Sequence, residues 1–169
     1  LSGMMNPKSM EEADAFVEFI NEGSNLISKD MHFNIGGDHE FTFSVEGWPD
    51  LFIIYPYIIS CMPECLKGKW KFFPFNPGKV GSFDFKMHGV KVNLDKVMVK
   101  PSYDEKRGYF NIRYYDRNLC SLPLEKSHGA AHIILELTLG EGVSFKYINE
   151  IERVSGIEDG MISLSGLRQ

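Results

Sequence analysis

No apolar run in this chain is long enough to cross a membrane. The longest, Leu51 to Ile59, is interrupted by Pro56 and falls well short of the roughly 20 residues a spanning helix needs. The opening residues, LSGMMNPKSMEE, place no basic region ahead of an apolar one, so no secretory signal is expected. Leu1 is not an initiator. Leu1, Ser2 and Gly3 read either as residues ahead of Met4 or Met5 or as the start of a truncated chain, and an exported precursor that has lost its signal stays open. Cysteine is scarce. Cys61, Cys65 and Cys120 are odd in number and lack a disulfide-framework spacing, which points to a reducing compartment and a cytoplasmic location. No Gly-rich phosphate loop occurs: Gly140-Glu141-Gly142 lacks the third glycine and the preceding strand of a dinucleotide site. A G-x-S-x-G nucleophile elbow, an H-E-x-x-H helix, internal repeats and low-complexity stretches are missing too. None of the patterns that name a reaction is left.

What remains is the composition of a globular protein. Of 169 residues, 43% are hydrophobic and 24% charged, a balance that supports burial rather than disorder. The length suits one domain over 1–169, with 1–8 and 158–169 loosely ordered. Phenylalanine alone contributes 13 residues, so an aromatic core is expected.

Ser9-Met10-Glu11-Glu12 reads as a capping box, followed by an apolar stripe at Ala13, Phe16, Val17 and Ile20 and a stop at Gly23. Gly36-Gly37-Asp38 reads as a turn. Glu40 to Val45 alternates Phe41, Phe43 and Val45 against Thr42 and Ser44, the period of a half-buried strand. Leu51, Ile54, Tyr55, Ile58 and Ile59 form a second helical stripe that Pro56 should kink. Trp70 to Phe75 reads as a strand, and Val80 to Tyr115 as an antiparallel meander. Pro123 opens a third helix, whose buried face is expected at Ala130, Ile133, Ile134 and Leu137 and whose end is Gly140. A short helix near Ser144 to Ile148 and a short strand near Ile151 to Val154 follow. Helices flanking a run of strands predict an α+β fold, an antiparallel sheet with helices mainly on one face, with a ferredoxin-like core as the preferred version. The core should unite Phe16, Ile20, Phe41, Phe43, Leu51, Ile54, Ile58, Phe72, Ile112, Ile134 and Leu137.

Several segments resemble a family of small bacterial proteins with no assigned activity. The resemblance rests on Glu40 to Gly47 with Leu51, Phe52 and Pro56, on Trp70 with Phe75 and Pro77, and most of all on Leu135-Glu136, Leu139-Gly140-Glu141 and Ile148. It covers about residues 15–155. Glu136 stands where that family more often has Asp. The resemblance implies a fold and a bacterial source, but no mechanism and no catalytic residue.

Charge is unevenly distributed. Residues 1–50 hold ten acids and two bases, while residues 64–117 hold twelve bases and six acids. Such separation can give oppositely charged faces, although ordinary solvated surfaces have the same composition. The expected function is a non-enzymatic protein-binding or regulatory module, inhibitor- or immunity-like. Glu11, Asp14 and Glu18 on the outer face of the first helix would steer a basic partner. A rival is a small enzyme with a sheet-edge pocket, using Glu136 and Glu141 as acid and base. Those two lie about 140° apart on a continuous helix and share a face only if Gly140 breaks it. A second rival is a single-stranded nucleic-acid binder that uses the basic, aromatic-interleaved region 67–117. The sequence pI of 5.5 speaks against it.

Cys61 and Cys65, with His128 and His132, have the i, i+4 spacings of two zinc-ligand pairs. The plainer expectation is that Cys61 is a small buried hydrophobe. In the same way, His128, His132 and Glu136 form a polar helix face. No metal, no cofactor and no membrane association is expected, and a homo-oligomer is compatible with the sequence. The alternation of Glu40 to Val45 generates the first prediction. Phe43→Ala should cost about 3–5 kcal/mol in a denaturant titration, and an unchanged midpoint would mean that the strand buries its other face.

Overall fold

The structure, a computed structural model, describes residues 10–36, 39–79 and 81–168, with backbone alone for Met10, Glu12, Ala13, Phe16 and Arg168. The fold is α+β. Within the expected single domain, contacts sort the chain into two compact units, Leu1–Pro74 and Phe75–Gln169.

The first unit comprises α1 (Met10–Asn25), β1 (His32–Gly36), β2 (Glu40–Ser44), α2 (Leu51–Ser60), α3 (Glu64–Lys67) and β3 (Lys71–Phe73). Its sheet has the order β1-β2-β3, antiparallel between β1 and β2 and parallel between β2 and β3. The expected alternation along β2 holds at Phe41 and Phe43, which are buried, whereas Ser44, expected on the open face, is buried as well. Aromatic rings then pack in series: Phe33 stacks on Phe41 at 5.1 Å, Phe41 meets Phe43 edge-on at 5.0 Å, and Phe43 stacks on Tyr55 at 4.6 Å. Such offset and edge contacts add to the burial energy of the rings. Tyr55, 0% exposed, also solves a polar problem. Its hydroxyl donates to the Ser44 carbonyl at 3.0 Å and accepts the His32 N–H at 3.2 Å, so α2 is fastened to both strands of the hairpin.

Several expectations shift here. Ser9 of the capping box, the turn residues Gly37 and Asp38 and the Phe16 side chain lie outside the described residues. Helix α1 runs two residues past Gly23. Helix α2 continues through Pro56. Cys61 is exposed, as is Cys65, so the expectation of a buried Cys61 is corrected. The helix ends at Ser60, and Cys61 occupies its C-cap, where the apolar stripe no longer continues.

The second unit comprises β4 (Asp84–Met87), β5 (Val90–Asn93), β6 (Met98–Asp104), β7 (Tyr109–Tyr115), α4 (Arg117–Cys120), α5 (Leu124–Leu139), α6 (Glu141–Tyr147), β8 (Ile148–Arg153) and β9 (Ile162–Ser163). The expected meander is two hairpins in separate sheets. β4 pairs with β5, while the main sheet has the order β8-β7-β6-β9. β8 lies parallel to β7, reached through α4, α5 and α6. Among the described residues this is the one helical crossover between parallel strands of the main sheet, where a ferredoxin-like core has two. The C-terminal segment expected to be loosely ordered is packed at Leu164. Leu164 is 1% exposed, and its N–H donates to the Val97 carbonyl at 2.7 Å.

Helix α5 buries Ser127, Ala130, Ala131, Ile134, Leu135 and Thr138, while Ile133 and Leu137 stay half-buried. The face is rotated from the expected one because small residues permit close approach, and its polar members find local partners. The Ser127 hydroxyl bonds the Tyr114 hydroxyl at 2.8 Å, and the Thr138 hydroxyl donates to the Ile134 carbonyl at 2.7 Å. Burial pushes the Tyr114 hydroxyl pKa up.

At the end of α5 two backbone segments cross at close range. Gly140 has φ +94° and ψ 145°, a region open essentially to glycine alone, and it ends α5 so that α6 can start at once. The segment Asn76–Lys79 runs over this elbow. Lys79 N–H donates to the Leu137 carbonyl at 2.6 Å, and Glu141 N–H donates to the Asn76 carbonyl at 2.9 Å. Asn76 N–H reaches back to a Glu141 carboxylate oxygen at 3.4 Å. Groups that a helix end would otherwise leave unbonded are thereby satisfied. Gly78 permits the approach, because a Cβ there would run into the Gly140 nitrogen and the Thr138 carbonyl oxygen. Gly78→Ala should therefore destabilise the protein by about 2–4 kcal/mol, measured by denaturant titration. A loss below about 0.5 kcal/mol would show that the crossing yields freely.

Candidate functional site

The first unit contains an apolar cleft of about 300 Å³. One wall is α1, contributing Phe19, Ile20, Gly23 and Ser24, with Ile27 just beyond it. Phe41, Phe43 and Phe72 of the sheet, Ile58 of α2, Leu66 of α3, Trp70, Met31 and Met62 complete the lining. Ser24 supplies the one side-chain hydroxyl. The apolar surface does not stop at the rim, since Phe19 and Ile27 are both exposed and Leu26 is 90% exposed.

Glu11, Asp14, Glu18 and Glu22 are all exposed on α1. With about 100° per residue, they sit on the side of the helix away from Ile20 and Gly23, with Phe19 between the two faces. The acidic stripe therefore does not line the cleft, and among the described residues none of the four enters an ion pair. The unit Leu1–Pro74 holds eleven acids against five bases, so its field favours cations.

The second unit contains a smaller, mixed cavity of about 240 Å³, lined by His132, Leu135, Glu136, Ser144, Phe145, Ile148 and Ile151. His132 and Glu136 are one turn apart on α5, Ser144 comes from α6, and the two isoleucines come from β8. Burial, and then the negative charge of Glu141, raises the Glu136 pKa. Burial, and then His128, lowers that of His132. The His132 residue is nonetheless exposed to solvent along part of its surface. The Ser144 hydroxyl is buried and has no hydrogen-bond partner among the described residues.

Gly140 does break the helix between Glu136 and Glu141, and Glu141 stands near enough to act on the charge of Glu136. They play different parts. Glu141 is buried, begins α6 and accepts the Asn76 N–H, whereas Glu136 faces the cavity. His128 meets the Tyr114 ring edge-to-face with centroids 6.1 Å apart, and its buried Nε2 has no hydrogen-bond partner among the described residues. The expectation of a polar helix face along His128, His132 and Glu136 is corrected accordingly, since that line is partly covered and partly cavity wall. Among the described residues no group of three or more His, Cys, Asp or Glu side chains is placed to hold a metal ion. No helix among them is long and apolar enough to cross a membrane.

Four of the twelve bases in region 67–117 are paired with acids among the described residues. Lys67 pairs with Glu64 at 2.9 Å, Lys71 with Glu40 at 3.3 Å and Lys91 with Asp84 at 2.6 Å. Arg113 bridges Glu152 at 3.0 Å and Glu158 at 2.6 Å. Trp70 is buried, and Phe72 and Phe73 are half-buried, so those rings do not form an open stacking platform. Sequence reasoning missed Ser144 altogether, because a lone serine in a short helix gives no signal until the strand beside it is placed.

No family model, curated protein or solved structure matches the chain, so the functional reading rests on geometry.

The raised Glu136 pKa makes a signed prediction. The folded state holds this proton more tightly than the unfolded state, so ionisation costs stability. That cost is absent below the ordinary carboxylate range and fully present above the folded value. Glu136→Gln should raise the melting temperature by about 1–3 °C at about pH 7 and give no gain at about pH 3.5. A gain of equal size at both pH values would show that the charge of Glu136 is not what costs stability.

Proposed function

We propose that this chain is a non-enzymatic protein-binding module whose first unit receives the apolar side chains of a cationic, amphipathic partner segment. The observation that carries the reading is the cleft lined by α1, the sheet and Trp70. Small-ligand pockets place a few converging polar groups among apolar walls, and this cleft offers little beyond Ser24. Its apolar surface continues outward onto exposed Phe19 and Ile27, as an interface would, and a helix laid in such a groove anchors through i, i+3, i+4 side chains.

The charge of the partner follows from the acid excess of the unit. Because Glu11, Asp14 and Glu18 lie on the far side of α1 from the cleft, their part is long-range steering. Their removal affects association more than dissociation. An inhibitor- or immunity-like role suits such a surface.

Two synthetic peptides test this. Both carry the same leucine face, one with lysine and one with glutamate on the polar face. The lysine peptide should bind saturably by calorimetry, and the glutamate peptide about tenfold more weakly or worse. Gly23→Trp fills the cleft from a position with no atom within 4 Å of an added Cβ, and it should weaken the lysine peptide about tenfold or more. Reversing Glu11, Asp14 and Glu18 to lysine should slow association several-fold at low salt and leave dissociation nearly unchanged. Equal affinity of the wild type and Gly23→Trp for the lysine peptide would remove the cleft from the account.

A further inference from the structure

The mixed cavity of the second unit lies outside that protein-binding reading. It combines an acidic side chain, an imidazole and a hydroxyl with a hydrocarbon floor. The hydroxyl is the telling group. Ser144 is 8% exposed, its Oγ has no hydrogen-bond partner among the described residues, and it lines the cavity. A buried hydroxyl without a hydrogen bond costs stability, and a bound ligand would satisfy it. Among the described residues His132 does not hydrogen-bond Ser144, so nothing there marks the serine as an activated nucleophile.

We infer that the cavity bounded by α5, α6 and β8 binds a small organic ammonium ion, its charge on Glu136 and the Ser144 hydroxyl and its hydrocarbon part on Phe145, Ile148 and Ile151. The electrostatics choose the sign. Glu136 faces the cavity, and buried Glu141 stands behind it close enough to act on its charge. The two carboxylates together make a negative site. The imidazole of His132 is held toward its neutral form, so it does not supply a competing cation and can accept a hydrogen bond. A cation in the cavity favours the charged form of Glu136 and so offsets both causes that raise its pKa, burial and the neighbouring carboxylate. The walls choose the rest of the ligand. Leu135, Phe145, Ile148 and Ile151 suit a short alkyl or benzyl group rather than a hydrated metal ion, and a volume of about 240 Å³ limits the ligand to a small one.

Benzylammonium is the probe, with benzyl alcohol as its neutral isostere and benzoate as the anion. Titration of the full chain, followed by amide chemical shifts, should show saturable movement at Ser144, Phe145 and Ile148 with benzylammonium. Benzyl alcohol should bind about tenfold more weakly, and benzoate should show no saturation. Glu136→Gln should weaken benzylammonium by about tenfold or more and bring its affinity to that of the alcohol. Ser144→Ala should weaken both amine and alcohol by several-fold while keeping the native amide spectrum. The inference is overturned if benzylammonium causes no saturable shift at these amides, if the alcohol binds as tightly as the amine, or if Glu136→Gln leaves amine affinity unchanged.

Discussion

The second unit depends on the point where Gly78 passes over Gly140. A helix that stopped anywhere else, or turned less sharply, would put α6 in a different direction and separate Ser144 from Glu136. The crossing is made of backbone alone, so its requirements are strict. One glycine must be small enough for the approach, and the other must adopt a positive φ of 94°. The exchange of hydrogen bonds between Asn76 and Glu141 then fixes the rotation of α6. A buried carboxylate is expensive unless hydrogen bonds satisfy it, which accounts for Glu141 as a structural group. Its charge nonetheless acts on Glu136, so one residue both holds the elbow and sets the electrostatics of the cavity.

The first unit is built on a different principle. Its rings pack in series from Phe33 to Tyr55, and one phenolic hydroxyl ties the second helix to two strands. Aromatic packing of this kind leaves irregular space between large, stiff side chains. The cleft beside Phe41, Phe43 and Trp70 is such a space, edged by a helix that shows its apolar residues there and its acids on the opposite side.

Periodicity made much of this legible. The alternation of Phe41 and Phe43, the helix opened by Pro123 and closed by Gly140, and the α+β class follow from local patterns that the structure keeps. The rotated face of α5 did not follow. Counting large apolar residues favoured Ile133 and Leu137, whereas the helix approaches its neighbours through Ser127, Ala130 and Ala131, and small residues leave no hydrophobic signal. Cys61 was misplaced because an apolar run does not mark where its helix ends. The pairing of β8 with β7 is non-local, and no pattern within Ile148–Arg153 announces a parallel partner. The cavity joins residues from three elements, so its members are unremarkable one by one: a histidine and a glutamate one turn apart, and a serine eight residues later.

The central claim is that the Gly78–Gly140 crossing is a rigid part of the second unit rather than a surface loop resting on it. Native-state hydrogen exchange reads this directly at the amides of Lys79 and Glu141, which donate across the crossing. The account predicts that both exchange as slowly as the paired amides of β6 and β7, through the same opening of the unit. Exchange of those two amides at the rate of an exposed loop, while the β6–β7 amides stay protected, would contradict it.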